Sequence, residues 1–489
     1  MTMRKKLLPT MLTIAALATA ALLLGGCGAN TPTDSTLEDE PQMTAPAPII
    51  DTPSATPSSD NTEENTDAEP VMYSPAKAID APASTIPLDM AAAFFAELEG
   101  IFDADNGALW GTPLHTPVIF LDTESRDIVA NRPDTQGLLV KYGAIYVGTL
   151  PENLPAIYSL PRFGGQSWAM LPWERLSESN DKIARQQLMA HLAFHNVQPT
   201  LFGSTSGWNN SHMEEKTARI LIQLEINALV YALGSTGPAQ TGAIRDALAI
   251  REERRRLFRR SAENENLFEV HEGLAMYTDM RLVQMPMEDV LLFFEDAAER
   301  LRKLTSLTHA FGYDSGALYG FLLDGTGVPW QADIRYGADL GFILQEALGI
   351  TQLPDFDQLD LLPYGYTEIT AFETDRLEAH ERFIQELTDM FLDRPTLVIP
   401  RDLAQESTQI NPASIFNISG LGQMMGANVV ISGAFGRLDL YDGFVLERRG
   451  EVHVLAEDLT IDGNRVTGAG WVMELNEGFE IDGHQVVQR

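Results

Sequence analysis

The stretch His191-Leu192-Ala193-Phe194-His195 decides how this 489-residue chain is interpreted. It lies in a predicted helix, residues 181–196, and residues four positions apart in a helix lie on the same face. Two imidazoles on one face can bind one metal ion, because neutral histidine nitrogen is a common ligand of zinc. The spacing therefore allows His191 and His195 to be two ligands of a metal site, although by itself it equally fits a helix with one histidine in the core and the other exposed.

A second segment extends the pattern: His271-Glu272-Gly273-Leu274-Ala275-Met276-Tyr277-Thr278. Together the two segments resemble the paired helices of the gluzincin metallopeptidases, in which a His-Glu-x-x-His helix is followed by a Glu-x-x-Ala-x-Tyr helix. In that family the glutamate of the second helix is the third zinc ligand. The resemblance implies zinc bound by His191, His195 and Glu272, with the fourth position left open to water.

A longer series of matches between Val118 and Leu323 resembles a family of bacterial zincin-like proteins that are secreted or lipid-anchored. Five segments match the sequences of that family in order: Leu121-Asp122-Thr123, His191 to Pro199, Gln223-Leu224-Glu225, His271 to Thr278 and Tyr313 to Gly320. A predicted strand at 167–171 precedes the site helix. In zincins such an edge strand pairs with extended substrate, so the resemblance also implies a peptide or protein ligand.

Two positions depart from the family pattern. The family has a glutamate directly after the first histidine, and this glutamate takes the proton from the metal-bound water. Here that position is Leu192, a hydrocarbon that cannot accept a proton. His271 replaces the asparagine that precedes the ligand glutamate, which leaves Glu272 itself in place. The resemblance therefore implies that the metal ligands are retained and that catalysis is impaired.

Several residues near the motifs have alternative interpretations. Glu225 begins a second Glu-x-x-Ala segment and is the alternative third ligand, or a residue that orients a ligand histidine. His271 is either a fourth ligand or a partly exposed helix histidine. Tyr313 is a possible oxyanion stabiliser, as is Tyr319, although core packing explains either tyrosine equally well.

These patterns support three functional hypotheses. The favoured one is a zincin-like pseudoenzyme that binds zinc, and a peptide segment, without cutting it. The second is an active zinc metallopeptidase whose general base is displaced to Glu214, Glu215 or Asp279. The third is a structural or binding lipoprotein without metal. The net charge of −35 argues against a nucleic-acid partner, because the phosphate backbone binds basic surfaces.

The N-terminus predicts export and lipid anchoring. Basic residues and an apolar run from Leu12 to Leu24 precede Leu24-Gly25-Gly26-Cys27, which resembles the lipobox of bacterial lipoproteins. Cys27 is the only cysteine of the chain, so no internal disulfide is possible. We expect a signal peptide at 1–26 and diacylation of Cys27 after cleavage. The protein is then anchored at the extracytoplasmic face of the cell membrane.

The rest of the chain predicts an α+β fold. Residues 27–85, rich in Pro, Thr, Ser and acidic residues, are expected to be a disordered tether. Residues 86–395 are expected to form a mainly helical zincin-like domain with an N-terminal β-sheet, and residues 396–489 a small antiparallel β-module. Short apolar runs predict strands at 117–121, 137–140, 144–147 and 167–171. Apolar periodicity predicts helices at 88–103, 181–196, 214–233, 241–260, 264–280, 287–302, 314–323, 338–347 and 373–392.

The basic run 250–260 stands out in so acidic a chain. Glu252 and Arg256 are four positions apart within it, which is the spacing of a surface ion pair on a helix. We therefore expect this run to be a solvated helix face.

Overall fold

The computed structural model describes residues 82–203, 207–405, 407–410 and 414–489. The predicted signal peptide, Cys27 and most of the predicted tether lie outside the described residues. Within them the α+β class is confirmed, since helices fill most of the chain up to residue 393 and strands fill most of the remainder. No helix of the described ranges combines the length and the apolar character that crossing a membrane requires.

Every helix predicted from the sequence has a counterpart in the structure, with ends that differ by up to seven residues. The α-helices are α1 (Leu88–Asp105), α2 (Trp173–Ser177), α3 (Lys182–Phe202), α4 (Lys216–Leu233), α5 (Gly237–Leu257), α6 (Ser261–Phe268), α7 (Leu274–Leu282), α8 (Met287–Glu295), α9 (Ala297–Arg302), α10 (Phe311–Asp324), α11 (Leu340–Ala347) and α12 (Tyr366–Asp393). A π-helical segment, Glu269–Gly273, joins α6 to α7.

The first sheet has five strands in the order β3-β4-β2-β1-β7. The strands before residue 173 are β1 (Val118–Leu121), β2 (Asp127–Ala130), β3 (Val140–Tyr142), β4 (Ile145–Thr149), β5 (Arg162–Phe163), β6 (Gln166–Ser167) and β7 (Ala169–Pro172). β7 runs parallel to β1 at the sheet edge, and the other pairs are antiparallel. One face carries a core of Ile119, Ile128, Trp168 and Met170.

The strand predicted at 137–140 is wrong except at its last residue, Val140. The carboxylate of Asp134 accepts hydrogen bonds from the amides of Gln136, Leu138 and Leu139, so these donors are not available to a strand ladder. A side chain that binds nearby amides in this way stabilises a loop in place of a strand.

The C-terminal β-module is confirmed and forms two sheets, in which the strand pairs are antiparallel except for the parallel pair of residues 396–400 with residues 485–488. The strands are β8 (Thr396–Pro400), β9 (Ser407–Gln409), β10 (Ile415–Ile418), β11 (Gly422–Gly426), β12 (Val429–Gly433), β13 (Gly436–Leu440), β14 (Phe444–Arg448), β15 (Glu451–Leu455), β16 (Thr460–Asp462), β17 (Arg465–Gly468), β18 (Trp471–Leu475), β19 (Phe479–Asp482) and β20 (Gln485–Gln488). Their orders are β10-β11-β14-β15-β8-β20-β19 and β16-β17-β18-β13-β12-β9. One core is shared by both sheets and includes Ile399, Val452, Ile431 and Trp471.

The described residues cluster into two compact units. One comprises 82–96 and Pro117–Glu178, and therefore contains the five-stranded sheet. The other comprises Glu97–Thr116 and residues from Ser179 onward, and therefore contains α3 to α12 and the C-terminal sheets. All candidate site residues of the folded part lie in this second unit. Within it α3 packs against α7, and α10 packs against the π-helical segment.

Candidate metal centre

Helix α3 carries both motif histidines. Its first turn is stabilised by Asp181, whose side chain accepts hydrogen bonds from the amides of Ile183 and Ala184. The sequence predicted an end at residue 196, but the helix continues through Pro199 to Phe202. Burial of Phe202 in an aromatic cluster with Trp110 and Phe194 accounts for the extra turn, since packing outweighs the poor helix propensity of proline.

The helix predicted at 264–280 is helical throughout, but it is not one regular α-helix. It divides into α6, the π-helical segment and α7, and the amide of Leu274 donates to the carbonyl of Glu269, five residues earlier. Glu272 therefore lies in a wide turn. Such π turns are rare overall but frequent at functional sites, and the sequence pattern gave no signal for this one.

The structure brings His191, His195 and Glu272 together, as the sequence predicted. The two Nε2 atoms are 3.1 Å apart. Oε2 of Glu272 is 3.5 Å from Nε2 of His191 and 3.2 Å from Nε2 of His195. All three side chains are buried. Among the described residues, these form the one group of three or more His, Cys, Asp or Glu side chains with the spacing to hold a metal ion.

The three atoms have the spacing of zinc ligands. Zinc bonds to histidine nitrogen and carboxylate oxygen are about 2.0–2.2 Å long, which in a tetrahedral site separates the ligand atoms by about 3.3–3.6 Å. The observed separations of 3.1, 3.2 and 3.5 Å lie close to that range. Oε2 of Glu272 is also buried without a hydrogen-bond partner in the described part of the chain. The donor set therefore fits a metal ion.

The outer nitrogens of both rings are held by hydrogen bonds. Nδ1 of His191 lies 3.0 Å from a carboxylate oxygen of Asp279. Nδ1 of His195 lies 2.8 Å from Oε1 of Gln198, while the amide nitrogen of Gln198 donates to the carbonyls of Val270 and His271. Since both partners of Nδ1 are acceptors, Nδ1 carries the proton in each ring. A neutral ring then presents an unprotonated Nε2 to the centre of the group.

The electrostatics of the group favour a cation. Burial opposes protonation of His191, but its contacts with Asp279 and Glu272 outweigh burial and raise its pKa to about 9. Burial likewise opposes ionisation of Glu272, yet attraction from His195 holds the pKa of that carboxyl well below its usual range. The two carboxylates create a negative potential that attracts a proton or a metal ion to the same place.

No family model matches the chain, and comparisons with curated proteins and with solved structures find no match. The resemblance to zincins thus stays a prediction from sequence motifs, and the function is inferred from the geometry of His191, His195 and Glu272.

The alternative ligand, Glu225, lies elsewhere. Its carboxylate is paired with Arg251, at 3.0 Å, and with Arg254, and it accepts a hydrogen bond of 2.8 Å from the hydroxyl of Tyr319. Glu225 therefore does not belong to the group, and it is not a hydrogen-bond partner of any ring nitrogen of His191 or His195. Tyr319 thus belongs to a buried cluster with Glu225, Arg251 and Arg254, and not to the metal-holding group.

The prediction of a solvated basic face at 250–260 is wrong for two of its arginines. Arg251 and Arg254 are buried, because the helix face that carries them is covered by acidic side chains of neighbouring helices. Arg256, Arg259 and Arg260 are exposed, as the prediction requires, and Arg256 pairs with Glu253 in place of Glu252.

Two further predicted residues adjoin the metal centre. The ring of His271 stacks on that of His195, with centroids 4.4 Å apart, but His271 is not part of the group that could hold a metal. Burial lowers the pKa of His271 to about 3, so this ring is neutral at physiological pH. The ring of Tyr313 stacks beside that of His191 at 6.0 Å. Tyr313 thus lies beside one of the two histidines, and its role as an oxyanion stabiliser stays a prediction.

The candidates for a displaced base have other partners. Glu214 accepts a hydrogen bond of 2.5 Å from Ser306, and Glu215 is the exposed residue that precedes α4. Asp279 alone reaches the group, where it holds the outer nitrogen of His191. Leu192 is buried, with 1 % of its surface exposed. The structure therefore places an apolar residue at the position that a base occupies in the resembled family.

Sequence reasoning missed the role of Gln198, although a signal was present. Gln198 lies three residues after His195, a spacing that places two side chains on one helix face. A glutamine one turn from a ligand histidine is thus a candidate to orient it.

Proposed function

We propose that this protein binds one zinc ion through His191, His195 and Glu272, and that it is a zincin-like protein with impaired catalysis. One observation carries the proposal: two Nε2 atoms and a carboxylate oxygen face each other within 3.5 Å in a buried place. Three electron-pair donors at this separation repel one another unless a proton or a metal ion lies between them.

The chemistry of the donors favours zinc over other biological cations. Two imidazole nitrogens and one carboxylate oxygen match the ligand types of catalytic zinc sites, which keep a fourth position open. Magnesium and calcium instead prefer six or more oxygen ligands. The hydrogen bonds that the outer ring nitrogens donate to Asp279 and Gln198 further favour metal binding, because they fix the tautomer and the orientation of both rings.

The residue at position 192 limits the chemistry. A bound zinc ion supplies an acidified water molecule. Leu192 cannot take a proton from that water. Asp279, the carboxylate besides Glu272 that contacts the group, is hydrogen-bonded to His191. We therefore propose metal binding with little hydrolysis. General-base assistance is typically worth about 10²–10⁴ in rate, and the natural chain forgoes that factor.

Peptide pairing along the predicted edge strand has weaker support. Met170 of β7 already exchanges two backbone hydrogen bonds with Ser159 at the free edge of the sheet. An extended peptide would have to replace this bridge or pair beyond it. The proposal is accordingly centred on the metal, with a lipid anchor at Cys27 and an extracytoplasmic location as its cellular setting.

Metal analysis of the full-length protein in detergent tests the proposal. After dialysis against a small excess of zinc and then against buffer, we expect close to one zinc ion per chain. The double variant His191→Ala/His195→Ala should retain almost none. His453→Ala is the matched control, because His453 lies in the C-terminal sheets and pairs with Glu451. Equal zinc contents of the wild-type protein and the double variant would refute the proposal.

A further inference from the structure

The π-helical segment Glu269–Gly273 places two glutamates three residues apart against different partners. Glu272 faces the two histidines. Glu269 is fully buried and faces other partners. Its carboxylate accepts hydrogen bonds from both terminal nitrogens of Arg251, at 2.8 and 2.5 Å, and from the hydroxyl of Ser315, at 2.8 Å. In a regular α-helix, side chains three apart lie on the same face. The wider turn is therefore what lets the two carboxylates address separate partners.

The backbone of this segment lies against helix α10 with almost no space between them. A methyl group on Gly316 would lie 2.6 Å from the carbonyl oxygen of Glu269 and 2.9 Å from Cα of Gly273. A methyl group on Gly273 would in turn collide with the backbone of Gly312 and Gly316. Glycine is needed here for close approach, since Gly273 has ordinary helical dihedral angles.

One atom links these two observations. The carbonyl oxygen of Glu269 accepts the hydrogen bond from the amide of Leu274 that closes the π turn. The same oxygen is the atom that a methyl group on Gly316 would meet first. The contact with α10 and the bidentate pair with Arg251 thus act on one residue, the first of the turn. Arg251 is itself held by Glu225 and by the ring of Tyr319, at 5.0 Å.

We propose that Arg251, Glu269 and Gly316 are positioning residues of the metal centre. They hold the π turn, and the π turn aims the carboxylate of Glu272 at His191 and His195. None of the three belongs to the metal-holding group. This inference rests on the proposed metal binding and adds the device that sets its geometry. It also gives a role to the matched segment Tyr313 to Gly320, because Ser315 and Gly316 of that segment both contact Glu269.

The test compares two glycine substitutions on α10 in the full-length protein. Gly316→Ala pushes on the backbone of the π turn, whereas Gly320→Ala pushes only on the ring of Tyr277, at 2.8 Å. Both add one methyl group to the same helix and gain the same helix propensity. The readouts are the zinc dissociation constant, from competition with a chromophoric chelator, and the thermal unfolding midpoint of the metal-free protein.

We expect Gly316→Ala to weaken zinc binding by about 10–100-fold, the range for residues that orient metal ligands, and Gly320→Ala by less than about threefold. If Gly316→Ala does not fold, Ser315→Ala replaces it, with an expected loss of about tenfold. Its control is Ser261→Ala, since the Ser261 hydroxyl is buried and makes no hydrogen bond in the described ranges.

The outcomes separate this inference from the proposed function. A folded Gly316→Ala or Ser315→Ala protein with wild-type zinc affinity overturns the positioning role while leaving metal binding intact. Equal losses of affinity in Gly316→Ala and Gly320→Ala, with equal losses of stability, also overturn it, because the effect would then be general packing. A wild-type protein that binds no zinc overturns the proposed function and this inference with it.

Discussion

Asp279 accepts a hydrogen bond from His191, with 3.0 Å between its Oδ2 and Nδ1 of the ring, although the two residues are 88 positions apart in the chain. Its other oxygen accepts from Gln187 at 3.1 Å. A carboxylate on the outer nitrogen of a ligand histidine fixes the tautomer and strengthens the metal bond. This pairing makes Asp279 a partner of the metal centre and not a free base.

The pairing predicts a specific effect of Asp279→Asn. We expect zinc affinity to fall by about tenfold or more, because the neutral amide no longer strengthens the Nε2 donor of His191. The measurement is the zinc dissociation constant from chelator competition. Asp246→Asn is the control, since Asp246 accepts a hydrogen bond from Tyr364 and has no contact with the histidines. Unchanged affinity in Asp279→Asn would show that the hydrogen bond does not tune the metal.

A pair of glutamine variants distinguishes the two candidate third ligands. Glu272→Gln should weaken zinc binding by more than about 100-fold, since loss of a direct ligand exceeds the 10–100-fold cost of an orienting residue. Glu225→Gln should weaken zinc binding by no more than about tenfold, through Arg251, and should lower the free energy of unfolding by about 3 kcal/mol, because Arg251 and Arg254 lose a buried charged partner. Chelator competition and urea unfolding measure the two effects. The reverse pattern would identify Glu225 as the ligand.

Restoring the missing base should restore hydrolysis. We expect the zinc-loaded Leu192→Glu protein to cleave an unstructured protein substrate about 10²–10⁴ times faster than the natural protein, the usual contribution of a general base. Leu192→Gln is the matched control, since it has the same size without a basic carboxylate. Release of fluorescent peptides from a labelled casein measures the rates. If the natural protein cleaves as fast as Leu192→Glu, the protein is an active peptidase and catalysis is not impaired.

The buried arginine cluster predicts a pH-dependent stability. Burial opposes ionisation of Asp339, but attraction from Arg251 and Arg255 outweighs burial and lowers its pKa to about 2. A carboxyl group whose pKa is lower in the folded state stabilises the protein above its unfolded value, near 3.8, and this contribution is lost as the pH falls toward 2. Asp339→Asn should therefore lower the free energy of unfolding by about 2 kcal/mol at pH 7.

Guanidinium unfolding of both proteins at pH 7, 5 and 3 measures this difference. We expect it to be equal at pH 7 and 5 and smaller at pH 3. Because asparagine at position 339 can still accept from the amide of Phe342 at the start of α11, the loss reports on charge and not on capping. A difference that stays constant down to pH 3 would exclude the ion pairs as its source.

The sequence by itself determined the local features of this protein. The spacing of His191 and His195 requires only the period of a helix, and apolar periodicity located each predicted helix with end errors of up to seven residues. The sequence likewise predicted the C-terminal β-module, which contains strands such as β15 and β18. These features depend on interactions between near neighbours, which a linear pattern records.

The tertiary structure alone decided which of two similar glutamates joins the histidines. Glu225 and Glu272 each begin a Glu-x-x-Ala segment, but Glu225 meets two buried arginines while Glu272 lies in a π turn packed against Gly316. The burial of Arg251 was equally hidden, because its acidic partners come from other helices and from up to 88 residues away. Charge pairing and backbone contact across distant segments depend on three-dimensional packing, and a residue pattern along one helix cannot record them.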